Sequence, residues 1–206
     1  MKFTRPQSRL ENGFTLLELL VVIAIIAILA ALTMGGFQYA QQAAARNRTT
    51  TTHAALQAGL ARYNEMHGEY PAPANPEAST DVAGKDMRVG GARMLYQAIT
   101  GDGDSEIKLA EAGGNQSDGK IDDTEAENII NGSLPKSMIV KSIEGYYISD
   151  GWARPFQYVK GGSEDALNAS TYDLWSFGNT DSKGPFFYDA EGRRSVQGTA
   201  TWIKNW

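Results

Sequence analysis

One acidic residue inside an otherwise uncharged apolar run constrains this chain more than any other feature. From Phe14 to Met34 the sequence reads FTLLELLVVIAIIAILAALTM, and Glu18 is its one charged side chain. As a helix these 21 residues span roughly 31 Å, about one hydrocarbon core. No charge follows from Leu19 to Ala45. A carboxylate at that depth costs about 2.5–3.5 kcal/mol on insertion scales. Such charges usually have a partner and a purpose, and no Lys or Arg lies nearby on the lipid side to act as one.

The thirteen residues before the run, MKFTRPQSRLENG, set Lys2, Arg5 and Arg9 against Glu11. This net positive segment stays cytoplasmic by the positive-inside rule. A plain signal peptide or signal anchor is the simpler reading, but Glu18 argues against it. A cut between Gly13 and Phe14 exposes an α-amino group at the helix tip and removes the basic leader. The new terminus of a neighbouring subunit then neutralises Glu18, a buried pair that sets register between copies.

The helix is expected to continue past Met34. Leu56, Leu60 and Tyr63 fall on one helical face. Arg46, Arg48 and Arg62 show that the helix has left the lipid. Thr49 to Thr52 is a weak point because β-branched residues lower helix propensity. Gly68 suits the position just past the helix end, and Pro71 follows it. One helix from Phe14 to about His67 is therefore expected, on the order of 80 Å long.

Beyond it, Ala72 to Lys85 reads as irregular, Ala92 to Thr100 as a short helix, and Gly101 to Asp123 as a Gly/Asp-rich surface loop. Ile139 to Ile148, Phe156 to Val159, Tyr172 to Phe177 and Phe186 to Tyr188 suit strands of one small antiparallel sheet. The fold class is α+β: a long N-terminal α-helix, transmembrane then amphipathic, packed on a small C-terminal antiparallel head. The organisation is a leader 1–13, a membrane or fibre-core helix 14–34, its amphipathic continuation 35–68, and a head 69–206 with an acidic insert 101–131.

Composition excludes several functions. The chain has no cysteine, so there is no disulfide framework, thiolate zinc site or cysteine nucleophile. A sequence pI of about 5.1 argues against nucleic acid as the main partner. His53 and His67 stand roughly 21 Å apart along a helix, too far to share a metal, and surface positions are expected for both. GxxxxGK from Gly114 to Lys120 has Ile121 where a P-loop needs Ser or Thr. The S-x-x-K tetrads Ser117–Lys120 and Ser133–Lys136 read as chance matches. No nucleophile–base set stands out, and no enzyme activity is expected.

The string GFTLLELLVVIAIIAILAAL resembles the class III signal of type IV pilins and pseudopilins. That resemblance implies a prepilin peptidase that cuts after Gly13 and methylates Phe14, and a role for Phe14 and Glu18 in assembly. A second resemblance covers the C-terminal third. Asp150-Gly-Trp-Ala-Arg-Pro-Phe-Gln-Tyr158, Tyr172-Asp-Leu-Trp-Ser-Phe-Gly178 and the final Asn205-Trp206 are similar to the DPWG-x-PYQY … YDLxSxG … NW pattern of major pseudopilins of type II secretion systems. Gly151 stands in place of the usual proline, Ala153 in place of the usual glycine, and the insert from Asp102 to Asn131 is not typical.

The resemblance implies a helical homopolymer. Its partners are minor pseudopilins, the prepilin peptidase and an inner-membrane assembly platform. The expected place is a single pass in the inner membrane with the head in the periplasm, the precursor of a fibre that drives protein export. A type IV pilus pilin and a membrane-anchored periplasmic binding module are the alternatives. The resemblance also implies a calcium ion in the loop after the YDLxSxG strand, with Asp181 and Asp189 as candidate ligands, although the acidic pair usual before the terminal NW is missing. A second candidate is the insert. Gly114 to Glu125 matches an EF-hand loop at Asp118, Gly119, Ile121, Asp122 and Glu125, but not at its first and third positions. Asp102 and Asp104 could add oxygens, which spacing alone does not show, and a solvated acidic loop is the preferred reading of the insert.

Overall fold

The computed structural model describes residues 14–103, 117–121, 123, 125–126, 129–130, 134–142, 145–163, 166–179, 187–188, 194–195 and 201–206. The chain divides into two compact units, Met1–Gln41 and Gln42–Trp206. A single helix, α1 (Leu16–His67), runs through the boundary.

In the first unit the described residues from Leu16 to Gln41 contain one carboxylate and no proline to interrupt the helix. The large apolar side chains from Phe14 to Leu32 are solvent-exposed, Phe14 and Leu16 almost completely. The helix is long and apolar enough, by length and composition, to cross a membrane.

In the second unit α1 turns amphipathic. Ala45, Thr49, Thr52, His53, Leu56, Leu60 and Tyr63 are buried, a spacing of three and four that traces one helical stripe. The threonine run does not break the helix. The hydroxyls of Thr49, Thr50 and Thr51 donate to the carbonyls of Ala45, Arg46 and Asn47, so their polar groups are satisfied within the helix itself. Gly68 ends it as expected, with φ +76° and its N–H on the Asn64 carbonyl at 2.8 Å.

The segment 72–85 is not wholly irregular. β1 (Ser79–Val82) and β2 (Lys85–Arg88) form a hairpin. Ala83 and Gly84 both have positive φ, the two-residue turn whose twist matches paired strands, and the Gly84 N–H caps it on the Asp81 carboxylate. The mostly polar strand residues hid the hairpin from a hydrophobicity reading. α2 (Gly90–Thr100) ends at left-handed Gly101. The expected stretch 139–148 is a hairpin, β3 (Ile139–Ser142) against β4 (Gly145–Ile148).

Three further strands make the central sheet: β5 (Gln157–Lys160), β6 (Tyr172–Ser176) and, after the short pair β7 (Phe187–Tyr188) and β8 (Arg194–Ser195), β9 (Ile203–Lys204). Their order is β5-β6-β9, antiparallel throughout. The one sheet expected from sequence is thus four small ones among the described residues.

Alternation along β6 assigns its faces. Tyr172 and Leu174 join Leu56, Leu60, Leu95, Ile99, Ile148 and Phe156 in the main core. Trp175 faces the other way and packs with Phe177 and Trp202, its ring 6.2 Å from that of Trp202 and nearly parallel to it. Close approach sets α2 against α1: a Cβ on Gly59 would lie 3.0 Å from Ile99 Cδ1.

Candidate functional site

At the tip of α1 the sequence Thr-x-x-Glu forms a capping box. The Thr15 N–H and hydroxyl both donate to Glu18 Oε2, at 2.9 and 3.0 Å, and the Glu18 N–H returns to the Thr15 hydroxyl at 3.2 Å. Glu18 therefore has a neutral partner within its own chain, which a search for Lys or Arg overlooks. Among the described residues Oε1 takes no hydrogen bond. The charge remains, with one oxygen directed to no group of its own helix. Phe14 stands beside it, 87% exposed. Gly13 lies outside the described residues.

The C-terminal motif residues build two anchor points on the central sheet. Asp150 is 2% exposed and accepts three bonds. Its Oδ1 takes the N–H groups of Trp152 and Arg154 at 2.8 and 2.9 Å. Its Oδ2 takes the Ser176 hydroxyl at 2.6 Å. Burial pushes this carboxyl above its ordinary value, against the pull of those donors and the Arg154 charge. The turn it closes touches α1: the Gly151 N–H donates to the Thr49 hydroxyl at 2.8 Å. A Cβ at Gly151 would lie 2.2 Å from the Ala45 carbonyl oxygen. Ala153, where the pattern has glycine, adopts φ +61°.

The second anchor is Asn205. Its Oδ1 accepts the Leu174 N–H and its amide donates to the Tyr172 carbonyl, both at 2.9 Å. The side chain thus extends the strand ladder beside β9. On the far face of β6, Asp173 is fully buried and holds the N–H groups of Leu167 and Asn168.

The acidic insert is not simply a solvated surface loop. Asp102 is 1% exposed. It accepts the Tyr96 hydroxyl at 2.5 Å and the N–H groups of Asp118 and Gly119 at 3.1 and 2.9 Å. Burial and this carboxylate push the Tyr96 phenol far above its ordinary value. Glu125 takes the Gly103 N–H at 2.7 Å, and Asp118 takes the Lys120 N–H. The Ser117 hydroxyl in turn accepts the Tyr146 N–H at 2.7 Å. Asp118 and Glu125 are thereby both tied to the 102–103 turn, a contact no sequence spacing shows. No group of three His, Asp or Glu side chains poised for a metal occurs among the described residues. Asp104, Asp122, Asp181 and Asp189 lie outside them.

His53 is not on the surface. It is 6% exposed, with Nε2 3.1 Å from the Leu174 carbonyl. His67 is exposed, its ring 4.2 Å from that of Tyr63. A cavity of about 430 Å³ between 72–77, Gly91 and β5 has as its charged lining Glu77, Arg88 and Lys160. Arg88 pairs with Glu77, and Lys160 with Glu69.

Residues 8–34 match the prokaryotic N-terminal methylation motif. A fimbrial protein of Neisseria meningitidis serogroup A is 35% identical over 79 residues, 37% of this chain and 46% of the relative. A fimbrial protein of serogroup B is 32% identical over 82 residues, 38% of this chain and 48% of the relative. The match therefore spans about half the length of these relatives. A long N-terminal helix followed by small antiparallel sheets, with a prepilin-type methylation motif at its start, is a pilin-like architecture. The N-terminal motif and these relatives make the N-terminal part of the chain similar to fimbrial proteins that carry a prepilin-type methylation motif.

Proposed function

We propose that the chain is the fibre-building subunit of a type II secretion pseudopilus. A prepilin peptidase cuts after Gly13 and methylates Phe14. The residue 14–34 helices then pass from the inner membrane into the core of a helical homopolymer. Minor pseudopilins and an inner-membrane platform assist, and the heads lie in the periplasm. The observation that carries this reading is the exposed apolar helix with Glu18 as the one charged residue at its tip, one oxygen held by Thr15 and the other without a hydrogen bond among the described residues. Head-to-tail contacts between identical copies give open filaments.

The first check is the mass of the mature chain, expected to start at methylated Phe14 with 193 of the 206 residues remaining. An unprocessed Met1 or a cut near Ala30 overturns the reading. The secretion role draws on the Asp150 and Asn205 anchors, which use the residues of the pseudopilin-like C-terminal pattern. A pilus pilin is the second reading, favoured by the fimbrial relatives. Deleting the gene separates the two: lost export of secreted proteins with surface pili intact supports the pseudopilus, and lost pili with export intact supports the pilus.

Calcium belongs to the same proposal. The oxygens of Asp118 and Glu125, tied to Asp102–Gly103, are chemically suited to a hard cation, as are Asp181 and Asp189 after β6. Calorimetric titration of the chelator-stripped full chain in detergent is expected to show calcium binding. Loss of the heat in Asp118→Asn/Glu125→Gln assigns it to the insert, and loss in Asp181→Ala assigns it to the loop after β6. No heat in the unaltered chain removes both sites.

A further inference from the structure

We propose that the seam between the second half of α1 and β6 is a proton-sensitive joint with the His53 imidazole as its trigger, so that acidification loosens the helix from the sheet. The inference concerns the subunit's fold and stands whether the chain builds a pseudopilus or a pilus.

The Leu174 carbonyl can only accept, so Nε2 carries the ring proton in the bond between them. The Gln57 side chain, one turn along α1, also bonds the imidazole. The Phe156 ring lies 6.4 Å away, tilted by 37°. A neutral ring is satisfied by this set. A second proton places a full charge in a nearly dry seam with no acidic partner among the described residues, which burial strongly disfavours. Burial accordingly pulls the imidazole below its ordinary value, against the opposing pull of the Leu174 carbonyl and Gln57.

The surrounding groups offer no compensation. On α1 there is no other titratable residue between Arg48 and Arg62. On β6, Tyr172 shares the face of Leu174, but its phenol is pushed up to about 12 by burial and the nearby Tyr70. Asp173 points to the opposite face and binds the 167–168 N–H groups. Before β5, Asp150 is engaged by Ser176 and its own turn, and the Arg154 guanidinium donates to Gly178. From α2, Arg93 reaches Ser142 and Tyr96 reaches Asp102. Among the described residues no acidic side chain contacts the ring.

The sign follows from linkage. An imidazole harder to protonate in the folded than in the unfolded chain leaves stability intact above the ordinary value of 6.5. Stability is then lost as pH falls below it. Asp150, raised by burial, has the opposite effect and favours the folded state as pH falls. Acid loosening therefore belongs to His53.

The test is hydrogen exchange and tryptophan-detected thermal unfolding of the full-length protein in detergent micelles between pH 7.5 and 5. In the wild type, protection of α1 amides around His53, corrected for intrinsic rates, is expected to fall by up to about tenfold per pH unit below the ordinary imidazole value. The unfolding midpoint falls with it. His53→Gln abolishes this slope and His67→Gln keeps it. A wild-type seam indifferent to acid overturns the proposal, as does a slope that survives in His53→Gln or vanishes in His67→Gln. Should His53→Gln not fold, the ring titration followed by NMR in the wild type decides: a midpoint at or above the ordinary value sinks the joint.

Discussion

Glu18→Leu is expected to leave membrane insertion intact and to abolish fibre formation. The two halves of that outcome have different physical origins. Removing a charge from the apolar run makes insertion easier by about 2.5–3.5 kcal/mol. Losing the capping box with Thr15 costs the helix tip about 0.5–2 kcal/mol, so the gain covers the loss. Assembly responds in the opposite direction. Taking one partner from a buried ion pair and leaving the other charge stranded costs about 3–5 kcal/mol. In the proposed assembly the stranded charge is the α-amino group of the neighbouring Phe14. A penalty of that size at each subunit contact raises the concentration needed for polymerisation by more than a hundredfold. Glu18→Gln sharpens the test, because the amide can keep hydrogen bonds to Thr15 while the charge is gone. Both variants should fractionate with the membrane and yield no sheared filaments. Filaments formed by Glu18→Gln would show that hydrogen bonding, not charge, joins the subunits. Filaments formed by Glu18→Leu would remove the proposed role of this residue.

Asp150→Ala is expected to destabilise the second unit by about 3 kcal/mol, because it strands buried N–H groups and a hydroxyl together. The Trp152 and Arg154 N–H groups lose their acceptor, and with them goes the turn that places Gly151 on Thr49. Asp150→Asn should behave quite differently. Both N–H bonds fall on Oδ1, which the amide retains, and its NH₂ then faces the Ser176 hydroxyl. The amide also relieves the desolvation that lifts the carboxyl above its ordinary value. A raised folded-state value makes the fold less stable as pH rises through it, so Asp150→Asn should flatten that part of the profile. Urea unfolding of both variants from pH 4 to 7.5 checks this. Near-equal losses for alanine and asparagine would mean that charge rather than acceptor geometry holds the turn.

The sequence made the helix legible wherever its signals were local. The charge-free run, the apolar spacing of Leu56, Leu60 and Tyr63, and Gly68 ahead of Pro71 anticipated α1 almost to its last residue. The capping box was also visible as Thr15-x-x-Glu18, but the depth of the carboxylate drew the reading toward a partner in another molecule. His53 escaped because the buried stripe is polar where it meets the sheet. Thr49, Thr52 and His53 continue the spacing of Leu56 and Leu60 without continuing its hydrophobicity. Asp102 escaped for a different reason. Its donors come from Tyr96, Asp118 and Gly119, and a carboxylate bonded to backbone sixteen residues away leaves no periodic trace. The β1–β2 hairpin was hidden by polar strands and by an alanine in a left-handed turn position.

The base of the acidic insert offers a practical opportunity. Gly103 is held by Glu125, and the Ile130 N–H reaches the Ile99 carbonyl, so entry and exit are stitched together beside α2. With its ends fastened, lengthening the intervening chain costs only about 0.6 kcal/mol per doubling. Foreign epitopes spliced between residues 103 and 117 would therefore add little to the cost of closing this loop.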